Sequence, residues 1–381
     1  MEILTLLYAN AIGYLVVFIF MVIYTKNHLN KINRLHLFSQ AMFTLAFTTF
    51  AISEYPMPIS ELLTAIGNIG IILGSAGLLL TILQFVEHLQ PRYSKVIYAV
   101  AGCTSGLSFI WGFTPGYSHF RIGIVTLTLA IFMTLAAYAL YRYASASFLG
   151  KAISLFLLFI ASSHYYRLLE IFDFKHLYAL EIPSIGNAMI MLSMFMYLFI
   201  SGSGIVMLFK EKSDEQLYTL ATFDHLTGCY NRTVFVEKAE TLLIQNTGNN
   251  TYIALVMVDI DQFKAINDAY GHITGDEILV KFAKILKRET RSDELIGRYG
   301  GDEFILFLKG NSPDELYAKC ERLRLVIQQL SKDKIRITGS FGAVIQLNKT
   351  VHSYDLLVRE ADQALFNVKH AGRNAVSVRY L

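Results

Sequence analysis

The sequence predicts two unlike halves: an all-α bundle of apolar, membrane-spanning helices over residues 1–209, then an α+β domain over 223–381. Three observations predict this. First, charge is split unevenly: residues 1–209 carry 10 basic and 7 acidic side chains, whereas the 172 residues after them carry 23 of each, an ordinary globular share. Second, the first half contains seven long, continuous apolar runs. Third, the second half mixes strand-like and helix-like patterns around one tight hairpin. The whole chain has 381 residues, 54% apolar and 17% charged, with a formal net charge of +3. This composition excludes a fully soluble enzyme, a disordered chain and a nucleic-acid binder relying on bulk positive charge, so no nucleic-acid partner is expected. Cys103, Cys229 and Cys320 have no CxxC spacing and read as free thiols.

Crossing a bilayer as a helix takes about 20 apolar residues. Runs of that kind cover 3–25, 35–53, 62–86, 96–114, 121–141, 150–169 and 184–208, and the lipid bilayer is the expected surrounding. They read as helices because they are continuous rather than alternating, and hydrocarbon demands internal backbone hydrogen bonding. The loops after spans 1, 3, 5 and 7 carry nine Lys or Arg residues. The opposite loops carry Arg121, Arg167 and Lys175, beside acids such as Glu54, Glu61 and Glu181. Basic loops stay inside, which places the N-terminus outside and the second half in the cytoplasm of a bacterial inner, multi-pass membrane protein. His164, Tyr165, Tyr166 and Arg167 interrupt the sixth run near its outer end. They read as an interfacial anchor of aromatic rings and snorkelling cations, in preference to a ligand sensor.

Residues 210–222 (KEKSDEQLYTLAT) form the joint. The segment is charged, lacks Gly and Pro, and continues the last run as a helix with one apolar stripe. Beyond it, Tyr252–Ile260 (YIALVMVDI) is an apolar, β-branched run expected of a buried central strand. Asp261 follows and is expected to cap the helix that opens at Gln262. An amphipathic helix covers Asp276–Glu289. In ELIGRYGGDEFILFLKG two strands flank Gly300–Gly301, a pair suited to a tight turn because glycine accepts positive φ. Helix Pro313–Leu330, strand Ile335–Leu347, helix Tyr354–His370 and strand Ala375–Tyr380 complete an α+β sandwich of the ferredoxin-like type.

Acidic residues on this frame carry the chemistry. Asp259 ends the first strand, and Asp302 and Glu303 open the second arm of the hairpin. If that arm pairs beside the strand, the carboxylates meet at one sheet edge. Two such charges about 4 Å apart repel by about 4 kcal/mol at an effective dielectric of about 20, so they call for a cation. All-oxygen ligands favour Mg²⁺, with Mn²⁺ the alternative, completed by substrate phosphates. The helix from Gln262 offers backbone N–H groups and, in its first turn, Lys264, a ready phosphate site. Residue types alone therefore point to phosphoryl or nucleotidyl transfer on a metal-bound triphosphate.

Five ordered blocks extend this reading: FDHLTGCYNRTVF (223–235), VDIDQFKAINDAYGHITGDE (258–277), RYGGDEF (298–304), TGSFGAV (338–344) and EADQALFNVKHAGRN (360–374). Together they resemble the successive signatures of the GGDEF-type diguanylate cyclase domain, a palm-type nucleotidyl cyclase. The first half resembles, more loosely, the seven-span sensory modules found ahead of such domains. The resemblance implies a homodimeric enzyme joining two GTP molecules into cyclic di-GMP with release of two pyrophosphates. It assigns metal binding to Asp259, the Ile260 carbonyl, Asp302 and Glu303, the last two also serving the attacking 3′-hydroxyl. Asn267 and Asp276 match the guanine-binding pair, Gly300 and Gly301 the turn against the nucleotide, and Lys264, Lys369 and Arg373 the phosphate-binding cations. Asp224 and Asn231, in the first block, read as structural. Family members with product inhibition carry an RxxD motif before the glycines; here Arg291 and Glu294 take those places, and the longer acid departs from the pattern. The alternatives are a catalytically silent GTP or cyclic di-GMP receptor, which a degenerate signature would mark, and a transporter with an accessory nucleotide-binding tail. Residues 300–304 match the signature at every position.

Overall fold

The computed structural model describes residues 3–26, 30–55, 58–114, 117–144, 147–173, 184–245, 251–329, 335–347 and 352–381. The chain divides into two compact units, Met1–Ser213 and Asp214–Leu381. Lys175 and Glu181, counted above among the outer charges, lie outside the described residues.

Unit 1 is built from helices α1 (Ile3–Thr25), α2 (Lys31–Ser53), α3 (Ser60–Phe85), α4 (Pro91–Gly112), α5 (Ser118–Tyr143), α6 (Phe148–Asp173) and α7 (Ile185–Phe199). A π-helical turn, Ile200–Gly204, joins α7 to α8 (Ile205–Thr222). Six helices among the described residues are long and apolar enough to cross a membrane, with α7, the π turn and α8 counted as one. The expected fourth run is helical as α4 but is not among the six: any 18-residue stretch of this helix includes Lys95, and Thr104, Ser105 and Ser108 lower its hydropathy further. The core gathers Tyr14, Phe43, Ile72, Leu79, Phe132 and Leu157.

A widened π turn leaves backbone carbonyls in need of partners. The Gln40 side-chain amide donates to the Ser201 carbonyl at 2.7 Å, inside the bundle. At the other end of the same segment, Lys212 of α8 donates to Glu87 at 2.7 Å and to the Phe85 carbonyl at 3.1 Å.

The interfacial-anchor reading of 164–167 needs correction. Tyr165 and Tyr166 are exposed, but Arg167 is only 5% exposed and His164 turns the same way. Residues three apart share a helix face, so a run of four cannot all point outward.

Unit 2 contains a six-stranded mixed sheet. Its elements are β1 (Tyr230–Asn231), α9 (Arg232–Gln245), β2 (Tyr252–Ile260), α10 (Phe263–Tyr270), α11 (His272–Glu289), β3 (Leu295–Arg298) and β4 (Glu303–Gly310), then α12 (Pro313–Gln328), β5 (Gly339–Leu347), α13 (Tyr354–His370) and β6 (Val376–Tyr380). Strand order is β1-β3-β4-β2-β5-β6. The four central strands are antiparallel, and the edge pairs β1–β3 and β5–β6 are parallel. Central β2 alternates between two cores. Ala254, Val256 and Val258 pack with Leu279, Phe282 and Leu323 of α11 and α12. Ile253, Leu255 and Met257 pack with Phe235 of α9 and with Leu357 and Leu365 of α13. Helices on both faces explain why β2 reads as a continuous apolar run, and they make the unit three layers rather than a two-layer sandwich.

One close approach fixes α13. A Cβ on Gly342 of β5 would stand 2.1 Å from the Leu365 amide nitrogen and 2.3 Å from the Ala361 carbonyl oxygen. Only glycine lets this helix lie so near the strand.

Candidate active site

The antiparallel pairing of β2 with β4 sets Asp259 directly opposite Glu303. Asp302, the residue before β4, accepts through its carbonyl from the Ile260 amide at 3.4 Å. The three acids thus share one sheet edge, where β2 runs into α10. Lys369, in the last turn of α13, places Nζ 2.7 Å from Asp259 Oδ2.

Burial pushes the Asp259 carboxyl up to about 6, the Lys369 ammonium draws it down, and the charges of Asp302 and Glu303 raise it. A carboxylate made costly to ionise by burial and by neighbouring acids is the electrostatic signature of a cation site. Among the described residues no three His, Cys, Asp or Glu side chains close into a full metal cage. Asp259, Asp302 and Glu303 offer carboxylate oxygens, the donors a hard divalent cation takes when water and substrate phosphates complete its shell.

The hairpin turn differs from expectation. Neither Gly300 nor Gly301 adopts positive φ; among the described residues of this unit those that do are Gly228, Gln262, Gly271, Gly372, Arg373 and Asn374. The glycines serve space instead. A Cβ at 300 would stand 3.3 Å from Glu303 Oε2, while the one at 301 would meet nothing within 4 Å. The turn is held from behind by Arg298, which donates to the Gly301 carbonyl at 2.7 and 3.0 Å and to Asp224 at 3.0 and 3.1 Å. Burial opposes the charge on Asp224, but the Thr227 hydroxyl and amide and the Arg298 guanidinium outweigh it and hold its pKa below the ordinary value. Arg298 was not singled out from the sequence, where it reads as a strand residue before the glycines. Asn231, from the same first block, donates to the Ala221 carbonyl at 2.6 Å.

Asp261 is not a helix cap. The residue before α10 is Gln262, in left-handed conformation with no side-chain cap bond. The Asp261 carboxylate accepts instead from Ser340 at 2.6 Å, Thr338 at 2.7 Å and the Asn374 amide at 3.1 Å. It ties β2 to β5 and to the turn after α13, where Arg373 has φ +65° and its amide closes on the Val368 carbonyl at 3.0 Å. Lys264 is exposed in the first turn of α10.

Asn267 on α10 and exposed Asp276 on α11 flank the Gly271 turn between the two helices. The helices approach so closely that a Cβ on Gly275 would stand 1.9 Å from Asn267 Oδ1. That oxygen is buried and has no hydrogen-bond partner among the described residues. An orphaned buried acceptor is costly unless a ligand donor reaches it.

Arg291 and Glu294 do not form a surface pair. The Glu294 side chain is 0% exposed and makes a buried ion pair with Lys319. It also accepts from the Arg291 amide at 2.7 Å and the Lys309 amide at 3.1 Å. Arg291 directs its guanidinium to Glu315 at 3.1 Å. Glu294 is thus turned into the domain.

The sheet-edge acids, Lys369 beside them and the orphaned Asn267 acceptor invite comparison with known proteins. Residues 221–375 match the family model described as diguanylate cyclase, GGDEF domain. They form a GGDEF domain. Across 174 residues the chain is 36% identical to diguanylate cyclase A of Treponema denticola, covering 44% of this chain and 46% of that protein. It is 34% identical across 168 residues to the diguanylate cyclase DgcM of Escherichia coli strain K12, covering 44% and 40%. The chain thus spans less than half the length of these two relatives. Among solved structures it is similar to the coiled coil and GGDEF domain of DgcB from Caulobacter crescentus in complex with c-di-GMP. That likeness has 27% identity and a TM-score of 0.44, covering 47% of this chain and 97% of the other.

Proposed function

We propose that this protein is a membrane-anchored diguanylate cyclase that condenses two GTP molecules into cyclic di-GMP and two pyrophosphates. The observation that carries this reading is the register that sets Asp259 against Glu303, with Asp302 beside them and Lys369 on Asp259. Asp259, the Ile260 carbonyl, Asp302 and Glu303 would hold a divalent cation, Mg²⁺ or Mn²⁺. When bound, that ion polarises the α-phosphate and neutralises the developing charge.

The chain's own residues supply the rest. Lys264 and the N-terminus of α10 receive phosphate oxygens, and Arg373 adds a second cation from the turn after α13. Lys369 holds Asp259 ionised and neutralises phosphate charge. Asn267 offers its Oδ1 to the guanine amino group, and the Asp276 carboxylate accepts from N1–H and N2–H₂, a match adenine cannot make. Glu303 accepts the proton of the 3′-hydroxyl. A single domain cannot present the 3′-hydroxyl of one GTP in line with the α-phosphate of a second, so the active unit is a homodimer with facing sites.

The helical unit would sit in the bacterial inner membrane with all seven helices spanning, its N-terminus outside and the GGDEF domain in the cytoplasm. Exposed Ile12, Phe20, Ile23, Ile110, Leu155 and Phe199 support this, since such apolar surface is suited to hydrocarbon. The 210–222 helix would set whether two catalytic domains can face each other, which is how the bundle would gate synthesis.

The test is nucleotide analysis of purified full-length protein with GTP and Mg²⁺, beside Asp302→Ala and Glu303→Ala. Cyclic di-GMP is expected from the parent alone, with both variants folded. Undiminished product from the two variants would overturn the site.

A further inference from the structure

We propose that one end of the helical unit is a binding site for a small amphiphile carrying a single carboxylate on an apolar body. A cavity of about 420 Å³ lies among α1, α2, α3, α5, α6 and α7, within the size range of small-molecule sites.

The cavity is layered. Short connections make successive helices antiparallel, so the ends of α2 and α6 lie level with the starts of α3, α5 and α7. At that level the walls carry Glu54, Asn68, Arg121, His164 and Arg167. One to three turns deeper they carry Phe43, Phe47, Leu129, Met133, Ile160 and Tyr197. A polar head layer over an aromatic and aliphatic floor matches a molecule lying along the helices, head at one end.

The donors set the sign of that head. Arg121 Nε and His164 Nδ1 are buried without a hydrogen-bond partner among the described residues. Arg167, buried within the same wall, is held in place by donating to Asn187 Oδ1. Glu170, one turn further along α6, accepts from Ser184 Oγ and the Gly186 amide at 3.2 Å each, and its charge also acts on Arg167, leaving Arg121 as the guanidinium with no buried acid beside it among the described residues. Glu54 in the lining and Glu61, whose charge acts on Arg121, are both exposed. Water screens those acids, while the guanidinium groups lie deeper, where an anion is held more strongly. Guanidinium presents forked N–H donors that a carboxylate meets with two oxygens. Ionisable groups at this depth in a spanning bundle mark ligand or ion sites. The floor residue Tyr197 stands one turn before the π-helical segment at 200–204, so an occupant would bear on the helix leading into α8.

The test uses full-length protein in lipid nanodiscs, with decanoate as probe and decanol and decyltrimethylammonium as charge controls. Binding is read directly by calorimetry, so a protein making no cyclic di-GMP would still report, and failure here is separate from failure of the cyclase reading. Saturable decanoate binding is expected, at least tenfold tighter than either control and at least tenfold weaker in Arg121→Gln. Leu129→Trp, which fills the apolar floor and leaves the charges in place, is expected to weaken binding as much and stands in if Arg121→Gln does not fold. Uptake that is linear and equal in parent and variants, or equal affinity for the cationic control, would overturn the site.

Discussion

Lys369 Nζ stands 2.7 Å from Asp259 Oδ2, joining the last turn of α13 to the end of β2 across 110 residues of sequence. The contact joins a carboxylate raised by burial to the Lys369 ammonium, and sets how the acid responds to pH.

Burial is the first cause of the raised Asp259 pKa, so the folded, metal-free domain prefers this group protonated. Its contribution to stability is fully present below the unfolded value near 4 and is lost as pH rises through about 6. Asp259→Asn is therefore expected to be more stable than the parent at pH 7.5 without divalent ions, by about 1–2 kcal/mol after allowing for solvent screening. The difference should close near pH 4. Denaturation curves at the two pH values measure it, and an Asn variant less stable at pH 7.5 would contradict the burial cost.

Lys369 draws the Asp259 carboxyl down, so Lys369→Met should move the acidic limb of the activity profile upward from the parent's. Lys369→Arg should restore the limb toward its original position. A Met variant that lowers turnover with no shift in the limb would confine Lys369 to substrate binding.

Breaking the Glu294–Lys319 pair leaves a charge in a buried site where the two side chains are 0% and 8% exposed. Glu294→Ala is expected to cost about 3–5 kcal/mol, whereas replacing both residues with methionine should cost much less. Chemical denaturation of the single and double variants checks this. Product inhibition should be weak in the parent, because Glu294 is committed to the interior.

Gly342→Ala should detach α13 from the sheet, since the new methyl would meet backbone atoms of Ala361 and Leu365 that cannot rotate away. A loss of about 2 kcal/mol or more is expected, with activity falling further because Lys369 and Arg373 ride on that helix end. Hydrogen exchange along residues 354–370 would show the helix loosening.

By itself the sequence determined where most elements of the second half lie. Local pattern was enough for the central strand Tyr252–Ile260, for the order of elements and for the β3–β4 hairpin, because strand period and hairpin pairing are short-range rules, whereas the pairing of β2 with β4 that brings Asp259 to Glu303 is a tertiary contact. It also determined the apolar helices, since hydropathy is a sum over neighbours. What only the tertiary structure decided involves partners distant in sequence. Asp261 looks like a cap until Ser340 and Asn374 arrive from elsewhere in the chain. Glu294 looks like a surface acid until Lys319 covers it. His164 and Arg167 look like interfacial anchors until the helix face they share is seen to be the inner one. In each case the side chain's role was set by which charge, donor or wall the fold brought against it, and no local pattern encodes that.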